Sequence, residues 1–228
     1  MRRRDFVTAP LALPLTAARA RAETKPVVLE LFTSQGCSSC PPADALLGEI
    51  SRRPGAIGLA WHVDYWNSLG WKDPFAKREW TERQKTYANL LHGEVYTPAL
   101  VVNGSSLMVG SDAAAVNRAV AQAEPPPVAV TLRRTATGLE AAIGPAAVPV
   151  SGVLVSYDPE QTTHVGAGEN WGRKLIEYRV VRDALLLDRI SPRMTLPPVA
   201  ANRGAVLLIQ DAALRVLGAA DLPPVRTS

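Results

Sequence analysis

Two cysteines, Cys37 and Cys40, are the only ones in a chain of 228 residues, and they stand together in one Cys37-Ser38-Ser39-Cys40 unit where the hydrophobic period changes. Upstream, Val27-Val28-Leu29-Glu30-Leu31-Phe32 is a β-prone run bounded by Pro26 and Thr33-Ser34-Gln35-Gly36, the pattern of a strand buried on both faces. Downstream, Ala43, Leu46, Leu47 and Ile50 recur at helical spacing, with Pro41 and Pro42 tolerable only near a first turn. The two thiols therefore fall where a strand hands over to a helix. This confines the first part of the chain to an α/β arrangement.

The composition agrees with a globular protein: 47% of residues are hydrophobic and 20% charged, which excludes intrinsic disorder and collagen-like structure. Nineteen prolines favour loops and strands over a long helical bundle. No apolar run approaches the roughly 18 residues of a membrane-spanning helix, so the mature chain is expected to be soluble.

A net charge of +4 and a pI near 9.3 point at face value to a polyanionic partner. The N-terminus offers another explanation. Met1-Arg2-Arg3-Arg4-Asp5-Phe6 opens a basic segment, Ala9 to Ala18 is weakly apolar, and Ala18-Arg19-Ala20-Arg21-Ala22 spaces small residues as before a cut. The Arg3-Arg4-Asp5-Phe6 order and the mild apolar stretch, broken by Pro10 and Pro14, have the layout of a twin-arginine signal over residues 1–22. Its removal would take five of the 25 basic residues and one of the 21 acidic ones, leaving 20 of each. A neutral mature chain gives counterion release little to work with, so no nucleic-acid partner is expected.

Export would deliver the cysteines to an oxidising compartment, periplasmic or extracellular, where they have only each other as intramolecular partners. A structural zinc site lacks a second pair of ligands, since the chain has neither another CxxC nor a His-x3-5-His spacing. A purely structural bridge across three residues restrains little of the unfolded chain. Copper(I), which prefers soft thiolates, remains open, and so does redox chemistry. At a helix N-terminus the partial positive charge and free N–H groups favour thiolate over thiol. A thiol pKa lowered from about 8.5 to about 6.5 would raise the thiolate fraction at pH 7 from roughly 3% to roughly 75%. Cys37, the outer residue, is the better nucleophile, and Cys40, one turn in, is placed to resolve a mixed disulfide.

The chain continues with a second apolar run, Ile57 to Val63, a helical segment, Val95-Tyr96-Thr97-Pro98-Ala99-Leu100-Val101-Val102-Asn103-Gly104, and a helix over Ser111 to Ala123. In this order it resembles thioredoxin-fold proteins. Thr97-Pro98 is similar to the cis-proline loop of that fold, which offers backbone to an extended substrate. More narrowly, Leu29 through Asp44 and Gly168-Glu169-Asn170-Trp171-Gly172-Arg173 resemble an uncharacterised bacterial family of exported thioredoxin-like proteins, a domain of unknown function. The resemblance also implies an acidic side chain beneath the cysteines that assists proton transfer. Glu30, inside an apolar strand where an ionised group is expensive unless paired, is the candidate, the alternative being a side chain that reaches solvent at the strand end.

Other residues carry competing readings. Asp73-Pro74 predicts a helix start, with Ala76, Trp80, Tyr87 and Leu91 on one face. Trp61, Trp66 and Trp71 are either core or the wall of a substrate groove. His62 and Asp64, two apart at a strand end, are expected on one face, as a satisfied pair or an acid/base couple. Pro125-Pro126-Pro127 marks a boundary between a thioredoxin-like domain, 23–124, and a β-rich domain, 125–228. In the latter, strand-like runs over 128–133, 139–143, 150–157, 174–182, 205–210 and 214–218 suggest an antiparallel sandwich or a sheet docked on the first domain. His164 and the 168–173 loop are either a structural turn or an approach to the dithiol.

The expectation is an exported thiol-disulfide oxidoreductase of α/β class. Cys37, Cys40 and Glu30 would be catalytic, and Thr97 and Pro98 would bind substrate. No cofactor, metal or membrane partner is expected, and the partner would be a protein or small-molecule thiol or disulfide. The alternatives are a periplasmic copper(I) handler using the two thiolates and His62, and a redox-inactive binding module.

Overall fold

The structure, a computed structural model, describes residues 26–225; the signal segment at 1–22 lies outside them. Eleven strands and three α-helices follow in the order β1 (Val27–Thr33), α1 (Pro41–Ser51), β2 (Ala56–His62), α2 (Arg78–Leu90), β3 (Ala99–Val102), β4 (Ser106–Val109), α3 (Ala113–Gln122), β5 (Val130–Arg134), β6 (Leu139–Ile143), β7 (Ser151–His164), β8 (Lys174–Leu187), β9 (Arg193–Leu196), β10 (Gly204–Gln210) and β11 (Val216–Leu222).

The apolar run at Val27–Thr33 is central because it can be buried on both sides. β1 pairs in parallel with β2 and antiparallel with β3, and β4 closes that edge. Leu29 and Leu31 meet Ala43, Leu47 and Ile50 of α1 and Val116 of α3, while Val28 and Phe32 meet Trp61, Trp80 and Tyr87 on the other face. Alternation along the strand thus sends even-numbered residues of β1 toward α2 and odd-numbered ones toward α1. Asp112 caps α3 by accepting from the Ala115 N–H at 2.9 Å.

The α2 helix departs from the sequence expectation. It starts at Arg78 with Lys77 as N-cap, not at Asp73-Pro74. The Asp73 carboxylate is occupied elsewhere, by His62, the Gln35 N–H and the Phe75 N–H, so it forms a turn rather than a helix start. Trp80 and Tyr87 share one helix face as expected and lie in the core, whereas Ala76 precedes the helix.

The strands beyond Pro127 do not close on themselves. β7, β8, β10 and β11 extend the first sheet through the parallel β2–β8 contact at Ala60 and Val180, giving one mixed eight-stranded sheet of order β11-β10-β7-β8-β2-β1-β3-β4. β5, β6 and β9 form a separate three-stranded antiparallel sheet. This small sheet lays Leu139, Ala141, Ile143 and Leu196 over Leu154, Ala205, Leu207 and Ile209, so the sandwich-like packing uses one wing of the large sheet as its second layer. The two halves also meet closely elsewhere. Arg179 donates to the Gly58 carbonyl at 2.8 Å, and a Cβ on Gly48 of α1 would fall 2.2 Å from the Tyr178 ring of β8.

Among the described residues no helix is long and apolar enough to cross a membrane.

Candidate functional site

Cys37 and Cys40 are joined as a disulfide with 5.5 Å between their Cα atoms. Cys40 is the N-cap of α1, and Pro41 and Pro42 fill the first positions, where no intrahelical N–H is needed. Turn hydrogen bonds place the unit: the Cys37 N–H donates to Ser34 O at 3.1 Å and the Cys40 N–H to Cys37 O at 3.2 Å. The Ser39 hydroxyl lies 3.3 Å from Cys37 Sγ. Ser38 and Ser39 are exposed, yet both cysteines are fully buried.

The turn between β7 and β8 is hydrogen-bonded to the backbone of the cysteine turn. Asn170 donates through Nδ2 to both Gln35 O and Cys37 O at 2.9 Å, and Glu169 Oε2 accepts from the Ser38 N–H at 3.0 Å. The 168–173 loop therefore approaches the dithiol, whereas His164 pairs with Lys174 in the strands and faces solvent.

The Thr97–Pro98 bond is cis. Trp66 connects this loop to the cysteine turn: its Nε1 donates to Thr97 Oγ1 at 2.9 Å, and its Cβ lies 3.0 Å from where a Cβ on Gly36 would be. Trp71 donates to Gln35 Oε1 at 2.9 Å, and Trp61 is fully buried in the core.

Beneath the disulfide lies a cluster that sequence reasoning recognised only in part. Asp44 is one turn below Cys40 on α1, its N–H donating to Cys40 O at 3.1 Å, so the two side chains share a helix face. Asp44, His62 and Asp73, together with Glu177 from β8, are each less than 5% exposed. His62 Nδ1 is 2.7 Å from Asp73 Oδ2, and His62 Nε2 is 3.9 Å from Glu177 Oε1. Gln35 Nε2 ties the cluster to the second half, donating to Glu177 Oε2 at 2.7 Å and Thr163 Oγ1 at 2.9 Å. Asp44 Oδ1, His62 Nε2, Glu177 Oε1 and Thr33 Oγ1 have no hydrogen-bond partner among the described residues.

The expected His62–Asp64 couple is not formed. The strand ends at His62, and Asp64 turns away to accept from the Thr81 hydroxyl at 2.6 Å. Asp73, eleven residues on and displaced from its predicted capping task, takes the histidine instead.

Burial alone would strip His62 of its proton, but Asp73 by charge and hydrogen bond, then Glu177 and Asp44, outweigh it and push the pKa up to about 9. Burial raises Asp44 to about 7, against the opposing pull of His62. Burial likewise raises Glu177. Asp73 is held below its ordinary value, the His62 charge and the hydrogen bonds from His62, Gln35 and Phe75 overcoming the cost of burial. At neutral pH the arrangement is a histidinium–carboxylate pair beside an Asp44 that holds its proton more tightly than an ordinary carboxyl group.

Glu30 sits on the other face of β1. It does not reach solvent, being 1% exposed, and its carboxylate accepts from Arg83 Nε at 2.6 Å, Arg83 Nη2 at 2.9 Å and the Tyr87 hydroxyl at 2.5 Å. Gln210 closes the network through Arg83 and Tyr87. Glu30 shares no hydrogen bond with the cluster below the cysteines.

Among the described residues no group of three or more His, Cys, Asp or Glu side chains is arranged to hold a metal ion.

Residues 28–210 match the family described as protein of unknown function (DUF1223). The chain belongs to the DUF1223 family. A crystal structure of protein AGR_C_4864 from Agrobacterium tumefaciens, 32% identical, superposes with a TM-score of 0.73 over 89% of this chain and 96% of that one. HBP35 of Porphyromonas gingivalis, 15% identical, shares the fold at a TM-score of 0.58, covering 90% of this DUF1223 chain and 78% of its own. No curated protein matches significantly.

Proposed function

We propose that this DUF1223 protein is an exported thiol-disulfide oxidoreductase whose first half is a thioredoxin-like unit. The order β2-β1-β3-β4, the helices on both faces, the CxxC at the N-terminus of α1 and the cis Thr97–Pro98 bond support that reading. The observation that carries the function is the Cys37–Cys40 disulfide standing one helical turn above a buried Asp44, whose pKa burial raises to about 7.

In the oxidising direction Cys37, fully buried in the resting disulfide, is first uncovered; a substrate thiolate then attacks Cys37 Sγ, the Cys37–Cys40 bond breaks, and Cys40 leaves as a thiolate. Asp44, as carboxylic acid, gives Cys40 its proton. A second substrate thiolate then attacks the substrate sulfur of the mixed disulfide and releases Cys37. Two electrons pass from the substrate dithiol to the protein, which a disulfide acceptor reoxidises by the same steps in reverse. His62 stays cationic and steadies the Asp44 carboxylate once the proton has left. This gives Asp44 the proton-carrying role first expected of Glu30, which is held by Arg83. Thr97 and Pro98 present backbone to the substrate, and the twin-arginine-like segment delivers the protein to an oxidising compartment.

The test is trapping. Cys40→Ala freezes the mixed disulfide on Cys37 and retains thiol-containing partners that reductant releases, whereas Cys37→Ala retains none. Equal capture by both variants, or by neither, with no exchange of the intact pair against glutathione, would mean an inert bridge.

A further inference from the structure

The turn joining β7 and β8 does more than connect two strands. Residues 165–173 fold into a closed loop, with the Gly172 N–H donating to Val165 O at 2.9 Å, the Val165 N–H to Arg173 O at 2.9 Å and Arg173 Nη1 to Asn170 Oδ1 at 2.7 Å. Gly168 and Gly172 take φ of +74° and +75°, a backbone region that suits glycine, and Gly168 lies against Trp71. Thus braced, the loop sets two side chains against the cysteine turn. Asn170, fully buried, spends both amide hydrogens on the carbonyls of Gln35 and Cys37. Glu169, exposed, accepts from the Ser38 N–H, and hydrogen bonding from the Ser38 hydroxyl and then from that N–H holds its pKa below the ordinary value, so it is an anion across the neutral range.

The position of that anion matters because Ser38 follows Cys37 directly in the chain, so the Glu169 charge lies in the same turn as a Cys37 thiolate, whose nearby donor is the Ser39 hydroxyl at 3.3 Å. A thiolate at this end of the helix gains from free N–H groups and positive dipole. Glu169 removes the Ser38 N–H from that set and adds a negative charge beside it. We infer that Glu169 is a positioning residue that sets the redox poise of the Cys37–Cys40 pair, disfavouring the Cys37 thiolate and so favouring the disulfide. The inference rests on the exchange reading for its biological meaning, but it concerns a property of the thiol that is measurable without any substrate.

The decisive measurement is the thiol titration of the chemically reduced protein. Glu169→Gln keeps an oxygen that can accept from Ser38 and removes only the charge. The expected result is a Cys37 pKa lower by half a unit or more, with a further fall in Glu169→Lys. The equilibrium constant against glutathione should move at least threefold toward the dithiol, about 15 mV for a two-electron couple. Because the carboxylate is exposed, 1 M salt should shrink the difference between the variants. An unchanged Cys37 pKa in both variants overturns the inference, as does a shift of equal size in Gln and Lys, which would point to lost packing. Should the pKa move as expected while the wild-type pair fails to equilibrate with glutathione, the inference stands and the oxidoreductase reading falls.

Discussion

Two buried clusters of charge flank β1, and they are built on opposite terms. On the α2 face, Glu30, Arg83, Tyr87 and Gln210 satisfy one another: Arg83 donates twice to the Glu30 carboxylate, and Tyr87 and Gln210 occupy what is left. Under the disulfide, Asp44, His62, Asp73 and Glu177 leave three side-chain atoms of their own unpartnered. A buried polar network that is fully connected specifies a core, whereas a partly connected one holds groups whose protonation is finely balanced. The first cluster locks the sheet to α2. The second lies beside the chain's only two cysteines. Paired burial of charge is thus common to both, and incomplete pairing marks the site.

The comparison breaks most visibly if the satisfied cluster proves dispensable. Arg83→Met leaves the Glu30 carboxyl group buried without its partner, and removing one member of such a pair costs about 3–5 kcal/mol. Urea unfolding should show that loss, and the double variant Glu30→Met with Arg83→Met should recover much of it. Neither change should alter the Cys37 titration. If Glu30→Gln changed the pH profile of disulfide exchange while stability held, the roles assigned to the two clusters would be exchanged.

Next in size is the pH dependence written into the second cluster. His62 binds its proton more tightly folded than unfolded, so its contribution is fully present below about pH 6.5 and is lost as pH rises through about 9. At 1.36 kcal/mol per unit the loss is roughly 3 kcal/mol. Asp44, raised from 3.8 to about 7, acts in the same direction at lower pH: the unfolded chain ionises there first, and stability falls between about 4 and 7. Unfolding free energies measured from pH 4 to 9 should therefore decline. His62→Gln should flatten the upper part of the decline and Asp44→Asn the lower, and a curve that His62→Gln leaves unchanged above pH 6.5 would contradict the histidinium assignment.

Asp44→Asn also tests the chemistry. It keeps the shape of the side chain and removes the proton, so opening of the Cys37–Cys40 disulfide by a model dithiol, with Cys40 as leaving group, should slow by about a hundredfold, the lower end of what a positioned proton carrier contributes. The rate should lose its inflection near pH 7. An unchanged profile would return the proton step to solvent.

Much of this was open to a reader of the sequence, and the gaps have physical causes. The strand–CxxC–helix order was legible because hydrophobic period and proline placement are local signals, and β1 and α1 lie where they were expected. The cis bond was foreseen through resemblance at Thr97-Pro98. The second cluster was not, since Asp44, Asp73 and Glu177 lie on α1, a loop and β8, far apart in the chain. Asp73 looked like a helix cap because Asp-Pro is a strong local pattern, and only the fold shows His62 claiming it. Glu30 was recognised as an anomalous carboxylate, but period two alone says which face of β1 it takes only once the neighbours of that face are known. The Gly168-Glu169-Asn170 stretch announced a turn. What the turn touches is set by the length of the β7–β8 arm, in which paired residues run from Gly152 with Leu187 to His164 with Lys174.

The smallest effect serves as a control for the whole argument. Arg133 and Glu140 form an ion pair across β5 and β6 through one hydrogen bond, and their side chains are 70% and 45% exposed. Water solvates each partner nearly as well alone, and holding two long side chains in one geometry costs entropy. Arg133→Ala should therefore change stability by less than about 1 kcal/mol, and 1 M salt should erase the difference. Measured beside Arg83→Met, it separates pairing from burial. A loss at Arg133 as large as that at Arg83 would mean that the charge pair itself carries the energy, and the distinction drawn between the two faces of β1 would lose its physical basis.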